Sequence, residues 1–137
     1  MLTSKTNILE EGLVIDLQFE KRGGLLPVAV QETNTGQLLM LASVNKEALT
    51  KTLKTNMATF WSTSRNELWT KGETSGDYLR IDKIFVDCDQ DALVYQVTLV
   101  GNGVCHTYSK DGKHRKACFY REINLKESKL EFIKGME

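Results

Sequence analysis

Residues 87–97 read Asp87-Cys88-Asp89-Gln90-Asp91-Ala92-Leu93-Val94-Tyr95-Gln96-Val97, so that three carboxylates and one thiol precede an apolar run. Carboxylate oxygens suit a hard ion such as magnesium, whereas a thiolate suits a softer ion such as zinc. The stretch therefore carries potential ligands for two kinds of metal. A polar turn between two strands accounts for the same five residues, and the pentapeptide alone does not decide between these interpretations.

The spacing of the three aspartates constrains how they could share an ion. In a regular strand, Asp87 and Asp91 would stand roughly 13 Å apart, because each residue adds about 3.3 Å. Short side chains cannot close on one ion across that distance. A shared magnesium therefore requires the backbone to curl here, or phosphate and water to complete the shell. In either geometry Cys88 faces away from its acidic neighbours, towards a different site.

Strand patterns extend in both directions from this turn, and together they predict a strand-rich α+β fold. The sheet is expected to be mostly antiparallel, with one or two short helices. Asn45 is a candidate N-cap for a helix that ends near Thr55. The predicted strands are Leu13–Phe19, Leu25–Gln31, Gln37–Ala42, Ala58–Trp61, Tyr78–Val86 and Ala92–Val100.

Two further expectations concern single features of this layout. Asn34-Thr35-Gly36 predicts a hairpin between the second and third strands. Pro27 suggests that its strand lies at a sheet edge, because proline cannot donate a ladder hydrogen bond. The tail from Leu125 onwards has no clear pattern and is left unassigned.

Length and composition are those of one globular domain spanning residues 1–137, with 41% hydrophobic and 26% charged residues. Eighteen basic residues balance eighteen acidic ones, so no overall field favours nucleic acid or an anionic membrane. Residues 1–7 lack the apolar core of a signal peptide, and no apolar run reaches membrane-spanning length. We therefore expect a cytoplasmic protein with reduced thiols.

The segment Lys71-Gly72-Glu73-Thr74-Ser75-Gly76 has the ingredients of an anion cradle, namely two glycines, two hydroxyls and a lysine. Arg65 nearby could grip a phosphate with two parallel hydrogen bonds. Without a ligand, the segment would be an ordinary flexible loop and Arg65 a solvated surface charge. Composition alone favours the flexible loop.

The three cysteines, Cys88, Cys105 and Cys118, lie too far apart for a Cys-x-x-Cys zinc motif. Metal binding, catalysis and simple burial all remain open for them. His106 and His114 are candidate ligands or proton carriers, although a single histidine in a loop usually serves as neither.

Several motifs occur together in one order along Leu17–Arg121, and in this order the chain resembles the phosphoribosyl-AMP cyclohydrolases of histidine biosynthesis. The earlier residues Val30-Gln31, Thr35–Ala42 and Asn45 fit the same pattern. The motifs that carry the resemblance are Phe60–Gly76, Asp87-Cys88-Asp89-Gln90-Asp91-Ala92-Leu93, Cys105-His106-Thr107 and Cys118-Phe119-Tyr120-Arg121.

The resemblance implies an intertwined homodimer with zinc at the subunit interface. Cys88 of one chain would join Cys105 and Cys118 of the other, while Asp87, Asp89 and Asp91 hold magnesium. Water would add at C6 of the N1-substituted adenine, and the N1–C6 bond would break to open the six-membered ring. Arg65 and the 71–76 segment would bind the substrate phosphates.

The chain also departs from the family pattern, which bears on the proton carriers. A position that is commonly histidine is Asp77 here, one of a pair of arginines is Thr63, and Ser43-Val44 replaces an aromatic-methionine pair. The stretch between Cys105 and Cys118 is longer, with a basic insert at 109–116. Asp77, His106 and His114 are therefore the candidate catalytic residues.

These departures leave two alternatives to the histidine-pathway reaction. One is a diverged enzyme that hydrolyses a related N1-modified purine nucleotide. The other is a non-catalytic nucleotide-binding dimer in which zinc is structural.

Overall fold

The computed structural model describes residues 5–137, which form an α+β fold built on a six-stranded sheet. The expected strand-rich, mostly antiparallel architecture is confirmed, and a short two-stranded sheet follows it. In the described residues the helices are α1 (Lys5–Glu11), a single 3-10 turn (Glu20–Arg22) and α2 (Lys46–Thr55). The strands are β1 (Leu26–Glu32), β2 (Leu38–Val44), β3 (Thr59–Ser62), β4 (Glu67–Thr70), β5 (Leu79–Val86), β6 (Leu93–Leu99), β7 (Arg121–Asn124) and β8 (Lys129–Phe132).

The sheet order is β4-β3-β2-β1-β6-β5, and β1 and β6 run parallel at its centre. The predicted hairpin between β1 and β2 is confirmed. The prediction of an edge position for Pro27 is wrong, because β1 lies between two partners. Proline is tolerated there because pairing with β6 starts only at Val28, so the position needs no donor on that side.

Helix α2 covers one face of the sheet and begins where the sequence predicts. The Asn45 side chain accepts a hydrogen bond from the Ala48 amide at 2.8 Å, which caps the helix. Leu49 is buried against the core, whereas Leu53 is 58% exposed. No helix among residues 5–137 is long and apolar enough to cross a membrane.

The predicted strand at Leu13–Phe19 is wrong. Those residues form an irregular segment, in which Leu13, Val14 and Ile15 are largely exposed. The segment is instead tied to the acidic turn through Gln90. The Gln90 side chain accepts from the Asp16 amide at 2.7 Å and donates to the Val14 carbonyl at 3.3 Å.

Two elements were not expected from the sequence pattern. Strand β4 lies within the polar segment 62–77 and pairs with β3, where Trp69 packs against Phe60 at 5.5 Å between ring centroids. The tail forms the β7–β8 hairpin, in which Phe132 stacks on Tyr120. Both hairpins lie close to the candidate site described below.

Candidate functional site

The acidic turn joins β5 to β6, and its three carboxylates converge. Ligand oxygens of Asp87, Asp89 and Asp91 all lie within 4.8 Å of one another. The curl arises because one Asp87 oxygen accepts the amides of Asp91 and Ala92, at 2.9 and 3.1 Å, while Gln90 takes a left-handed backbone conformation with φ of 55°. The backbone therefore curls as a shared ion would require, and the group could hold a metal ion.

Two cations from the 3-10 turn already contact this acidic group. The Lys21 ammonium lies 2.8 Å from Asp91 and 3.0 Å from Asp89, and the Arg22 guanidinium lies 3.0 Å from Asp91. The hydrogen bond from Lys21 holds the pKa of Asp91 well below its usual range. Burial raises the pKa of Asp87. Lys21 therefore competes for the oxygens that a divalent ion would use.

Replacing Lys21 by methionine is expected to tighten divalent-ion binding at the acidic turn about tenfold, because it removes the competing ammonium. Titration of the purified protein with Mn²⁺, followed by electron paramagnetic resonance, measures this affinity. Lys126→Met is the matched control, since Lys126 is exposed on the β7–β8 turn. Equal affinity in both variants would show that Lys21 does not compete with the ion.

Two of the three thiols lie side by side. The Cys118 thiol is a neighbour of the Cys105 thiol, and the Cys118 amide donates to the Leu39 carbonyl of β2 at 2.7 Å. Burial, reinforced by the neighbouring Cys105 sulfur, raises the pKa of Cys118 to about 11. Cys88 is exposed and borders a groove with the N-terminal segment. One chain thus presents a pair of sulfurs and, elsewhere, a single one.

Lys71 lies beside the cysteine pair and is partly buried. Burial lowers the pKa of Lys71, and the nearby Cys118, Asp77 and Cys105 oppose that shift. Its ammonium also lies 5.7 Å from the centre of the Trp69 ring. A cation, two thiols and a carboxylate are therefore grouped at one place in the fold.

Asp77 is buried, and its carboxylate has a clear partner. One oxygen accepts the Asn102 amide at 3.0 Å, which fixes the turn that leads into Cys105. A side chain on Gly101 would collide with that same oxygen. Asp77 therefore positions the Cys105 segment, whatever further part it has in proton transfer.

The predicted anion cradle contains, directly after Lys71, a glycine that tolerates no side chain. Gly72 has a φ of 90°, and a Cβ there would lie 2.3 Å from the Tyr78 amide nitrogen. The other residues of the cradle, Glu73, Thr74, Ser75 and Gly76, are exposed. The loop is closed by the Gly76 amide, which donates to the Gly72 carbonyl at 2.7 Å.

Gly72→Ala is expected to lower the free energy of unfolding by about 3 kcal/mol, because backbone strain and a backbone collision add together. Gly76→Ala is the matched control: Gly76 also has a positive φ, 83°, but open space around it. That variant should lose only about 1 kcal/mol. Urea unfolding of both variants gives the comparison, and equal losses would contradict the collision argument.

Three predicted site residues remain, of which two histidines lie near Cys105 and one arginine lies on another turn. His106 is exposed next to Cys105, whereas the His114 ring donates from Nδ1 to the Cys105 carbonyl at 2.9 Å and stacks on Tyr108. A carbonyl can only accept, so Nε2 of a neutral His114 is left as an acceptor. Arg65 is exposed on the β3–β4 turn, 3.5 Å from Glu67.

Comparison with known proteins decides the family. A family model described as phosphoribosyl-AMP cyclohydrolase matches residues 40–120. A phosphoribosyl-AMP cyclohydrolase of Desulfatibacillum aliphaticivorans is 51% identical over 80% of this chain and 83% of its own length. The chain belongs to the phosphoribosyl-AMP cyclohydrolase family.

Other relatives agree with this membership. A phosphoribosyl-AMP cyclohydrolase of Streptococcus mutans is 50% identical over 80% of this chain and 94% of that protein. The histidine biosynthesis bifunctional protein HisIE of Photobacterium profundum is 51% identical over 69% of this chain, which corresponds to 45% of that protein. The resemblance that the motifs predict is therefore confirmed, as is the assignment to cyclohydrolases acting on a cyclic amidine.

Within this cyclohydrolase family, the chain has contacts that its sequence motifs do not reveal. Lys21 and Arg22 lie 68 to 70 positions before the aspartates they contact, and no local pattern links them. Thr107 contacts the Cys105 sulfur, and only its place in the Cys105-His106-Thr107 motif could have drawn attention to it. The contacts of Lys21 and Arg22 depend on tertiary packing, so spacing along the chain cannot predict them.

Proposed function

We propose that this chain is a zinc-dependent phosphoribosyl-AMP cyclohydrolase of histidine biosynthesis, which opens the purine ring at the N1–C6 bond. The observation that carries this proposal is the Cys105–Cys118 sulfur pair beside the partly buried Lys71, in a member of the cyclohydrolase family. Two thiols next to a cation, of which Cys105 is buried and Cys118 is exposed, suit a soft metal ion better than they suit simple packing.

The donor set fits zinc with a vacant position. Within residues 5–137, no histidine or carboxylate joins Cys105 and Cys118 to make a set of three ligands in one chain. We infer that Cys88 of a second copy supplies the third sulfur. Three thiolates leave one tetrahedral position for water, which argues against a purely structural zinc, where four protein ligands close the shell. When bound, zinc would supply a Lewis acid that makes water nucleophilic near neutral pH.

The acidic turn fits a hard divalent ion. Its carboxylate oxygens are of the type that magnesium prefers, and they already converge within 4.8 Å. We assign Asp87, Asp89 and Asp91 to magnesium, with Lys21 as the competing cation. The ion would orient substrate phosphate and offset its charge.

The chain's own side chains then have distinct parts in the reaction. Lys71, Arg65 and the amides and hydroxyls of residues 72–76 would hold the two phosphates. Water adds at C6, and the N1–C6 bond breaks as N1 gains a proton. His106 is exposed beside Cys105 and can carry a proton between solvent and the reacting atoms. His114 and Asp77 would hold the Cys105 segment in place, through its carbonyl and the preceding turn.

A homodimer with zinc at its interface is supported by an apolar face next to Cys88. Pro27, Ala29, Leu41, Phe85 and Val94 line a groove of about 290 Å³ that ends at the acidic turn. Leu41 is 62% exposed and Phe85 47% exposed. Large exposed apolar areas of this kind are typical of association surfaces. A second chain covering this face would bring its own thiols towards Cys88.

Metal analysis of the purified protein, combined with an ultraviolet assay of ring opening on phosphoribosyl-AMP, tests the proposal. We expect about one zinc per chain. Chelation should remove the activity, and added zinc should restore it. Full activity in the zinc-free protein, or zinc without ring opening, would overturn the proposed function.

A further inference from the structure

The Cys105 sulfur faces two hydrogen-bond donors from Thr107. The Thr107 hydroxyl oxygen lies 2.9 Å from the sulfur, and the Thr107 amide nitrogen donates to it at 3.5 Å. Two contacts from one residue hold the sulfur in one orientation. Cys105 is also buried, so these donors replace water around it.

Arg115 sets the direction of the Thr107 hydroxyl. Its Nη1 donates to the Thr107 oxygen at 3.2 Å. Because a guanidinium can only donate, the Thr107 oxygen is the acceptor in that contact, and its own hydrogen is left for the sulfur. The orientation of one hydroxyl thus follows from the position of one arginine.

The C-terminal hairpin holds Arg115 in place. The guanidinium lies 4.1 Å from the centre of the Tyr120 ring and 5.4 Å from that of Phe132. Its Nε donates to the Met136 carbonyl at 2.8 Å. Stacking on two aromatic rings, with a hydrogen bond at the edge, fixes both the plane and the rotation of the side chain.

Backbone contacts join the same residues. The Cys105 amide donates to the Arg115 carbonyl, and the Arg115 amide donates to the Thr107 carbonyl, both at 3.0 Å. The segment that carries the sulfur and the segment that carries the guanidinium are therefore held in one register. Movement of either segment would displace the hydroxyl from the sulfur.

We propose that Thr107 and Arg115 are positioning residues that orient the Cys105 sulfur as a zinc ligand, with Tyr120, Phe132 and the Met136 carbonyl supporting Arg115. This inference rests on the proposed function, since it takes Cys105 to be a zinc ligand. Neither residue need touch the substrate. Donors to a metal-bound sulfur orient it and adjust its charge, and their loss typically weakens metal binding about 10- to 100-fold.

Zinc affinity tests the inference, measured on the whole protein by competition with a chromophoric chelator. Thr107→Val keeps the size of the side chain but removes the hydroxyl, and it should weaken zinc binding about 10- to 100-fold. Thr107→Ser keeps the hydroxyl and should bind zinc like the unmodified protein. Arg115→Gln should show a loss similar to that of Thr107→Val, because it frees the hydroxyl to turn away.

Arg121→Gln is the matched control for Arg115. The Arg121 guanidinium also lies over Tyr120, at 5.2 Å, but has no hydrogen bond to Thr107. It should leave zinc affinity unchanged. With cobalt in place of zinc, the sulfur-to-metal absorption band should shift in Thr107→Val and stay in place in Arg121→Gln. Thr107→Ala provides the same comparison if Thr107→Val does not fold.

The outcomes separate the two proposals. If the unmodified protein binds zinc and Thr107→Val binds it as tightly, with an unshifted cobalt band, the positioning role is wrong and the proposed function stands. If the unmodified protein retains no zinc, the proposed function fails, and the inference fails with it.

Discussion

Replacing Cys105 by serine is expected to abolish zinc retention and turnover together. The substitution exchanges a soft thiolate for a hard hydroxyl that remains protonated at neutral pH, so the metal loses a ligand. The effect on turnover should exceed about a hundredfold, the upper end of what loss of an outer contact causes. Serine is close in size to cysteine, and its hydroxyl can still bond Thr107, so the local structure should survive.

Metal analysis and the ring-opening assay, performed on the same preparation, check this prediction. Urea unfolding establishes that the variant is folded. Cys118→Ser should behave in the same way, since the two sulfurs are neighbours. Zinc loss without loss of turnover would refute the catalytic part of the assignment. Retention of both zinc and turnover would show that Cys105 is not a zinc ligand.

Mixing two inactive variants, Cys88→Ser and Cys105→Ser, is expected to restore activity. If each zinc site takes Cys88 from one chain and the sulfur pair from the other, a mixed dimer has one site with both substitutions and one intact site. Random mixing makes half of the dimers mixed, so recovery should approach about a quarter of the unmodified activity. Each variant alone should remain inactive.

The complementation experiment requires exchange of subunits, achieved by unfolding the two variants together and refolding them. Cys105→Ser mixed with Cys118→Ser is the matched control. In that mixture each site draws both sulfurs of the pair from one chain, so every site lacks a ligand and activity should not return. Recovery in neither mixture would contradict a site shared between subunits.

The sequence predicts the central features of this protein because local chemistry determines them. The β1–β2 hairpin follows from a turn between apolar runs, and the start of α2 follows from the capping side chain of Asn45. The sequence also shows that the aspartates can share an ion only if the backbone curls, since a straight strand would keep Asp87 and Asp91 apart. The backbone meets that condition through the conformation of Gln90.

Features that depend on distant contacts could not be predicted in the same way. Leu13–Phe19 alternates like a strand, but none of the strands within residues 5–137 pairs with it, and hydrogen bonds to the Gln90 side chain hold it instead. Pro27 lies in an inner strand, where proline is tolerated because the pairing of β1 with β6 begins one residue later, at Val28. Nothing in the sequence around Asp77 indicates its partner, and only the fold shows that its carboxylate accepts a hydrogen bond from the Asn102 amide. The roles of Lys21 and Arg115 likewise depend on partners far along the chain.

Backbone hydrogen bonds join the two ends of the segment between Cys105 and Cys118, and they indicate where this segment can change in length. The Val104 and Cys105 amides donate to the carbonyls of Lys116 and Arg115, so the two arms are joined close to both sulfurs. Residues 109–113 form a tip beyond that join, where the Ser109 amide bonds to the Lys113 carbonyl. Doubling the length of a flexible loop costs only about 0.6 kcal/mol. Insertions and deletions at this tip can therefore accumulate during evolution while the spacing between the two sulfurs stays constant, and the tip is a suitable place to graft a label or a foreign peptide.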